Sequence, residues 1–325
     1  MAVYTQLTDS DFAAVARSYG LGEVRKTEFI PQGSINTNAW LTTASGRFFL
    51  RHTTVRGPVD LDFEAALLEH LAESHFPAPV LVKTGGGATR QPLAAGFVTL
   101  FKPLAGDELT RARVTAEHCE RLGAELGKMH RLTNSFGLER ANPYGPLVVQ
   151  GWVTGLQGHR DAQVRQVASE LRDALDLAKS REPALLPRGV IHADLFMDNV
   201  KWLDDRVSAF FDFEMACRDV LVLDLAITLN AWCFDRDRGG YLAELARALV
   251  RGYQFERPLS PRERTALYLE ALFGAVRYTA SRIRDFHLSP LPPDRLARKD
   301  YTTYLARIRD LRRLGPEGFG AMLWP

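Results

Sequence analysis

The hydrophobic period of this chain changes near residue 102, and that change limits the folds open to it. Before that point, over 24–51, apolar and polar residues alternate in short segments on either side of the 32–38 turn, with 38–42 and 47–51 around the turn-forming Ala44-Ser45-Gly46, which predicts a β-hairpin. Residues 60–73 then put Leu61, Ala65, Leu68 and Leu71 on one helical stripe, and Pro77 and Pro79 stop it from continuing. Segments 80–83 and 96–101, on either side of a Gly85-Gly86-Gly87 turn, complete a β-rich part with five predicted strands and one helix. A short helix over 9–19, with Phe12, Val15 and Ala16 at helical spacing, precedes it as a lid or brace. Past the 102–113 connection the period becomes helical, most clearly at 115–131, where Cys119, Leu122, Leu126 and Met129 recur. Strand-like runs return only at 189–192, 200–203 and 208–211. An α+β chain follows, with a β-rich domain over 1–102 and a mostly helical one over 103–325.

Composition narrows the classes of partner. Forty-one Lys and Arg against thirty-nine Asp and Glu leave a formal charge of +2, far from the basic excess of a nucleic-acid-binding protein, so a small molecule is the expected partner. Cys119, Cys217 and Cys233 are odd in number and lack metal-ligand spacing, which fits small core residues in a reducing cytoplasm. Asp9 and Asp11 interrupt the N-terminal stretch where a signal peptide would be apolar. The most apolar window, 220–234, is short for a bilayer and contains Asp224 and Asn230, so no membrane association is expected.

Chemistry concentrates in Val190-Ile191-His192-Ala193-Asp194-Leu195-Phe196-Met197-Asp198-Asn199-Val200, followed by Phe210-Phe211-Asp212-Phe213-Glu214. An apolar strand delivers a polar loop, and a second apolar run delivers another carboxylate. Phosphoryl transfer from ATP needs a carboxylate near the acceptor hydroxyl and oxygen ligands for magnesium on the phosphates. Asp194 suits the first task, and Asn199 and Asp212 suit the second. Asp224, inside the apolar run Val222-Leu223-Asp224-Leu225-Ala226, needs buried partners.

This arrangement resembles the catalytic loop and magnesium-binding aspartate of the protein-kinase-like fold, in the variant of the aminoglycoside phosphotransferase and choline kinase superfamily. That family has His-Gly-Asp with Asn five positions on; Ala193 stands at the Gly position. The resemblance implies a bilobal fold, a small-molecule kinase, ATP and Mg2+ as cofactors, and His192 and Asp224 as supports of the loop. It also implies a cation on a strand paired to an acid on the next helix, positions filled by Arg51 and Glu64. Gly33, Ser34 and Asn36, in the turn Gln32-Gly33-Ser34-Ile35-Asn36-Thr37-Asn38, would lie over the nucleotide phosphates, and Thr99 and Phe101 would meet adenine.

Further text narrows the resemblance to the type II homoserine kinases. It includes Arg188-Gly189-Val190-Ile191-His192-Ala193-Asp194-Leu195-Phe196, Asp224-Leu225-Ala226-Ile227, Asn230-Ala231-Trp232-Cys233-Phe234, Arg277-Tyr278 with Ser281-Arg282, and Arg298-Lys299-Asp300. Met197 departs from an expected Pro, Glu214 from an aromatic, and Ile35 and Ala39 from Glu and Tyr. The implied acceptor is the hydroxyl of an amino acid or amino alcohol, foremost L-homoserine. Arg277 and Arg282 are the expected anchors for its carboxylate, with Glu214 on the acceptor side. An aminoglycoside acceptor would call for many acids around the site, and a non-catalytic nucleotide-binding protein would not need Asp194, Asn199 and Asp212 together.

Overall fold

The computed structural model describes residues 7–30, 36–288 and 300–324. The chain divides into two compact units: Met1–Asp107 with Lys201–Leu203 and Ser208–Glu214, and Glu108–Val200 with Asp204–Val207 and Met215–Pro325.

The first unit is built on an antiparallel sheet of β1 (Val24–Ile30), β2 (Thr37–Thr43), β3 (Gly46–Thr53), β4 (Leu81–Val82), β5 (Gln91–Leu93) and β6 (Gly96–Phe101). The order is β1-β2-β3-β6-β4, with β5 paired to β6. Among the described residues six strands form where five were predicted. The missed one, β5, carries Pro92, which cannot donate to a ladder and so hides an edge strand from propensity. Strand β2 buries alternate residues, Ala39 and Leu41 among them, as period two requires. Against Ala39, Leu41, Leu50, Val98 and Leu100 packs α1 (Asp9–Ser18) through Phe12 and Val15. Thr8 and Asp11 close a capping box at its start, so α1 is a brace on the sheet. Helix α2 (Pro58–Glu73) starts with proline in its first turn, where the missing N–H has no intrahelical partner to lose.

The second unit is mostly helical: α3 (Ala116–Leu132), α4 (Pro146–Gln157), α5 (Ala162–Ala178), α6 (Leu221–Trp232), α7 (Ala243–Glu256), α8 (Pro261–Arg282) and α9 (Thr302–Leu323). Helix α6 is apolar on nearly every face and is buried along its length, as such a helix must be. Glycines let α3 and α7 approach closely: a Cβ on Gly252 would sit 1.9 Å from the Glu120 carbonyl oxygen, and one on Gly123 2.0 Å from that of Leu249. A two-stranded antiparallel sheet of β7 (Arg188–Ile191) and β10 (Cys217–Val220) lies beside the start of α6. The hairpin of β8 (Val200–Leu203) and β9 (Arg206–Phe210) returns part of the chain to the first unit, where Phe210 N–H donates to the Pro77 carbonyl. No described helix is long and apolar enough to cross a membrane.

Candidate active site

The predicted site residues fall into two clusters, one in each unit. In the second unit β7 ends at Ile191, and its register against β10, Ile191 opposite Cys217, fixes where the following loop begins. Asp224, in the first turn of α6, is wholly buried and receives the N–H of His192 at 2.7 Å on Oδ2 and that of Ala193 at 2.8 Å on Oδ1. His130 on α3 adds Nε2 at 3.1 Å, while its Nδ1 lies 2.8 Å from the Tyr253 hydroxyl. Burial alone would raise the Asp224 carboxyl, but hydrogen bonding and charge from His130, with help from His192, hold it below the usual range. A buried carboxylate is tolerated here because it organises two successive backbone donors.

That grip imposes a backbone conformation. Ala193 has φ +64°, in the left-handed region where a side chain is strained, which explains physically why glycine suits this position. The turn aims Asp194, half-buried, at a set of partners. The Tyr278 hydroxyl is 2.7 Å from Asp194 Oδ1 and 2.8 Å from the Ala193 carbonyl oxygen. Asn199 donates Nδ2 to the Asp194 carbonyl at 2.7 Å, with Asp194 Oδ2 at 3.3 Å. With its amide nitrogen thus committed, Asn199 has Oδ1 as its remaining polar atom, a hard oxygen. Trp232 Nε1 anchors the same loop on the Leu195 carbonyl at 3.0 Å.

Beyond Tyr278 lies Arg277, 2% exposed. Its guanidinium faces the rings of Tyr144 and Tyr278, each 4.9 Å from Cζ to ring centre. Nη1 meets no hydrogen-bond acceptor among the described residues. Arg282, expected as its twin, is placed differently. Its Nη1 donates to the Asp300 carbonyl at 3.0 Å and to Thr303 Oγ1 at 2.7 Å, and its guanidinium stacks on Tyr304, which ties the end of α8 to the start of α9.

The first unit carries a cluster of alternating charge. Arg51 on β3 donates Nη2 to Glu64 on α2 at 2.7 Å, and its Nη1 lies 3.1 Å from Glu214 Oε1. Arg56 bonds the same Glu64 oxygen and lies 3.8 Å from Glu214. Asn36 donates to Glu214 at 2.6 Å. Glu214, expected on the acceptor side, is therefore engaged with the two arginines instead. Burial opposes the Arg51 charge, yet Glu64, Glu214 and Asp212 together hold its pKa above the usual arginine value. Burial likewise works against Glu64, and Arg51 and Arg56 reverse it, so its carboxyl is lowered. Asp212 adopts φ +64°, a conformation that strains any side chain but glycine.

Thr99 sits opposite Arg51 across the β3–β6 ladder, and Phe101 lies 5.1 Å beneath the Arg51 guanidinium. With Arg51 and Glu64 they line one recess. Gly33 and Ser34 lie outside the described residues. No group of three or more His, Cys, Asp or Glu among the described residues forms a metal site by itself. A magnesium ion carried mainly by nucleotide phosphates needs only one or two protein oxygens.

A model of the phosphotransferase enzyme family, APH, matches residues 26–267. The chain belongs to that family. Similar relatives are the homoserine kinases of Acidiphilium cryptum, 39% identical over 95% of this chain and 96% of that one, and of Paramagnetospirillum magneticum, 37% identical with the same coverage. That of Brucella melitensis is 36% identical over 97% of this chain and 95% of its own. Among solved structures, an amicoumacin kinase in complex with AMP-PNP and Ca2+ superposes with a TM-score of 0.71 at 16% identity, covering 95% of this chain and 98% of that one. An aminoglycoside phosphotransferase from Alicyclobacillus acidocaldarius gives 0.67 at 18% identity, covering 99% and 98%. The protein-kinase-like fold expected from the sequence is the fold of this family member, a β-rich N-terminal part followed by a mostly helical one.

Sequence reasoning assigned no role to His130, Tyr278, Arg56 or Tyr144. Tyr278 had one signal, its place beside Arg277 on a helix with Leu272, Val276 and Ala280, which marked a buried face without naming Asp194 as the partner.

Proposed function

We propose that this APH family member transfers the γ-phosphoryl group of ATP to the hydroxyl of L-homoserine, giving O-phospho-L-homoserine, in the cytoplasm and with Mg2+ as the divalent ion. The observation that carries the reading is the hold on Asp194: one carboxylate oxygen at Tyr278, the other at Asn199, on a loop pinned by Asp224. The choice of homoserine rests on relatives 36–39% identical over almost all of this chain.

In this reading Asp194 accepts the hydrogen bond, and then the proton, of the acceptor hydroxyl as its oxygen attacks the γ-phosphorus. Asn199 Oδ1 and the Asp212 carboxylate would hold the metal. When bound, Mg2+ neutralises charge on the phosphate oxygens and orients them for in-line displacement. Arg51 contacts the phosphates in place of the lysine more common in the family. Its Nη2 keeps Glu64, and its Nη1 exchanges Glu214 for a phosphate oxygen. Two arginines facing Glu64, Glu214 and Asp212 leave this cluster with a net negative charge, so the nucleotide is favoured as its metal complex.

Coupled ADP release with MgATP and L-homoserine, beside choline, serine, threonine and an aminoglycoside, tests the reading. Turnover on homoserine above the other acceptors is expected, and Asp194→Ala should lower kcat by about 10²- to 10⁴-fold. Turnover confined to another acceptor removes homoserine, and turnover that survives Asp194→Ala removes the mechanism.

A further inference from the structure

Arg277 is a permanent cation in a place that charges avoid. It is 2% exposed, it lies deep in α8, and its Nη1 has no hydrogen-bond acceptor among the described residues. Arg51, also buried, has two glutamates, and buried Arg307 has the backbone carbonyls of Asn230 and Thr303. Removing a guanidinium from water is costly unless an anion or a full set of acceptors replaces the solvent. The Tyr144 and Tyr278 rings replace part of it, but a ring face supplies no in-plane acceptor for an N–H.

Its position relative to Asp194 is bounded by Tyr278, which touches both. Arg277 Cζ is 4.9 Å from the Tyr278 ring centre, and the Tyr278 hydroxyl is 2.7 Å from Asp194 Oδ1. With roughly 3 Å from ring centre to hydroxyl, guanidinium and carboxylate are at most about 11 Å apart. An extended four-carbon hydroxy acid spans about 6 Å between its hydroxyl and carboxylate oxygens. A hydrogen bond of about 2.8 Å at each end brings the total to at least that bound. A hydroxyl at Asp194 therefore leaves the far end of such a molecule within reach of Arg277.

We infer that Arg277, held between Tyr144 and Tyr278, is the subsite for a carboxylate on the phosphoryl acceptor. The enzyme thereby selects hydroxylated amino acids over the matching amino alcohols. The inference rests on the kinase reading of Asp194 but not on homoserine itself. Tyr278 serves both ends: its hydroxyl orients Asp194, and its ring flanks the cation that orients the acceptor. Such a site keeps a buried cation with a donor to spare, and the bound acid supplies the in-plane acceptor that the two rings lack.

The test compares L-homoserine with 3-aminopropan-1-ol, the same molecule without its carboxylate, on the wild type, Arg277→Met and Arg277→Lys. The wild type should prefer homoserine in kcat/KM by on the order of 10²-fold or more. Arg277→Met should raise the homoserine KM by a similar factor, leave the ATP KM within about twofold, and reduce the preference to less than about tenfold. Arg277→Lys, which keeps the charge, should recover part of the loss. The Met variant should melt no lower than the wild type, because methionine still packs between the rings and removes a buried donor that has no acceptor.

A rise in the ATP KM with the acceptor KM unchanged would make Arg277 a phosphate contact and overturn the inference. An unchanged acceptor KM with a lower Tm would make it structural, with the same result. Should the Met variant not fold, the Lys variant and the wild-type preference still decide: a preference below tenfold refutes the subsite. If homoserine is no substrate but another hydroxylated acid is used in an Arg277-dependent way, the homoserine reading fails and the subsite stands. If the preferred acceptor carries no anionic group, the subsite fails and the kinase remains.

Discussion

Asp224→Asn isolates the step by which α6 organises the catalytic loop. The native carboxylate accepts three donors, from His192, Ala193 and His130, at 2.7, 2.8 and 3.1 Å. Asparagine keeps one acceptor oxygen; placed as Oδ2 it still serves His192 and His130, while its NH2 meets the Ala193 N–H, so one buried N–H loses its acceptor. A buried orphan costs about 1–3 kcal/mol, partly offset because a buried charge is removed but increased by the facing donors, and the net loss should be about 2 kcal/mol. For a helical unit of this size that lowers Tm by about 4–8 °C, read by circular dichroism. The activity of the surviving folded protein should also fall, because Asp194 follows directly on the released N–H group.

The pH dependence gives a second reading of the same bond. The folded pKa of Asp224 is depressed below the unfolded reference of 3.8, so its stabilisation is complete above about pH 4 and is lost as pH falls through the folded value. The difference in Tm between wild type and Asp224→Asn should be largest at neutral pH and should narrow below pH 4. A loss under about 1 kcal/mol at pH 7, or a deficit unchanged on acidification, would refute the reasoning.

Two other substitutions probe the same loop. Ala193→Gly relieves a left-handed alanine and should stabilise the protein by roughly 0.5–1 kcal/mol with kcat retained; a drop in Tm would show that the φ of +64° carries no strain. Tyr278→Phe removes the hydroxyl that meets Asp194 Oδ1 and should lower kcat by about 10- to 100-fold, since a base displaced by even 1 Å loses much of its effect. Steady-state rates at saturating ATP within twofold of wild type would deny Tyr278 that positioning role.

The sequence alone determined the change of period, the family, and the order Asp194, Asn199, Asp212, Asp224. These are local properties: a helix or strand writes its period into consecutive residues, and a loop that must hold a base and an amide at fixed spacing writes that spacing too. Even there, Pro92 hid a strand whose place at a sheet edge is a tertiary fact. The partners of the site residues were of another kind. Tyr278 meets Asp194 across 84 positions, His130 meets Asp224 across 94, and Asn36 meets Glu214 across 178. No periodicity links residues so far apart, so the sequence set Glu214 on the acceptor side and paired Arg282 with Arg277, whereas the fold gives Glu214 to the arginines and Arg282 to a helix junction. Which charges end beside one another, and which cation is buried between tyrosine rings rather than on carboxylates, depends on how helices and sheet pack, because only packing removes the water that would otherwise make those charges equivalent.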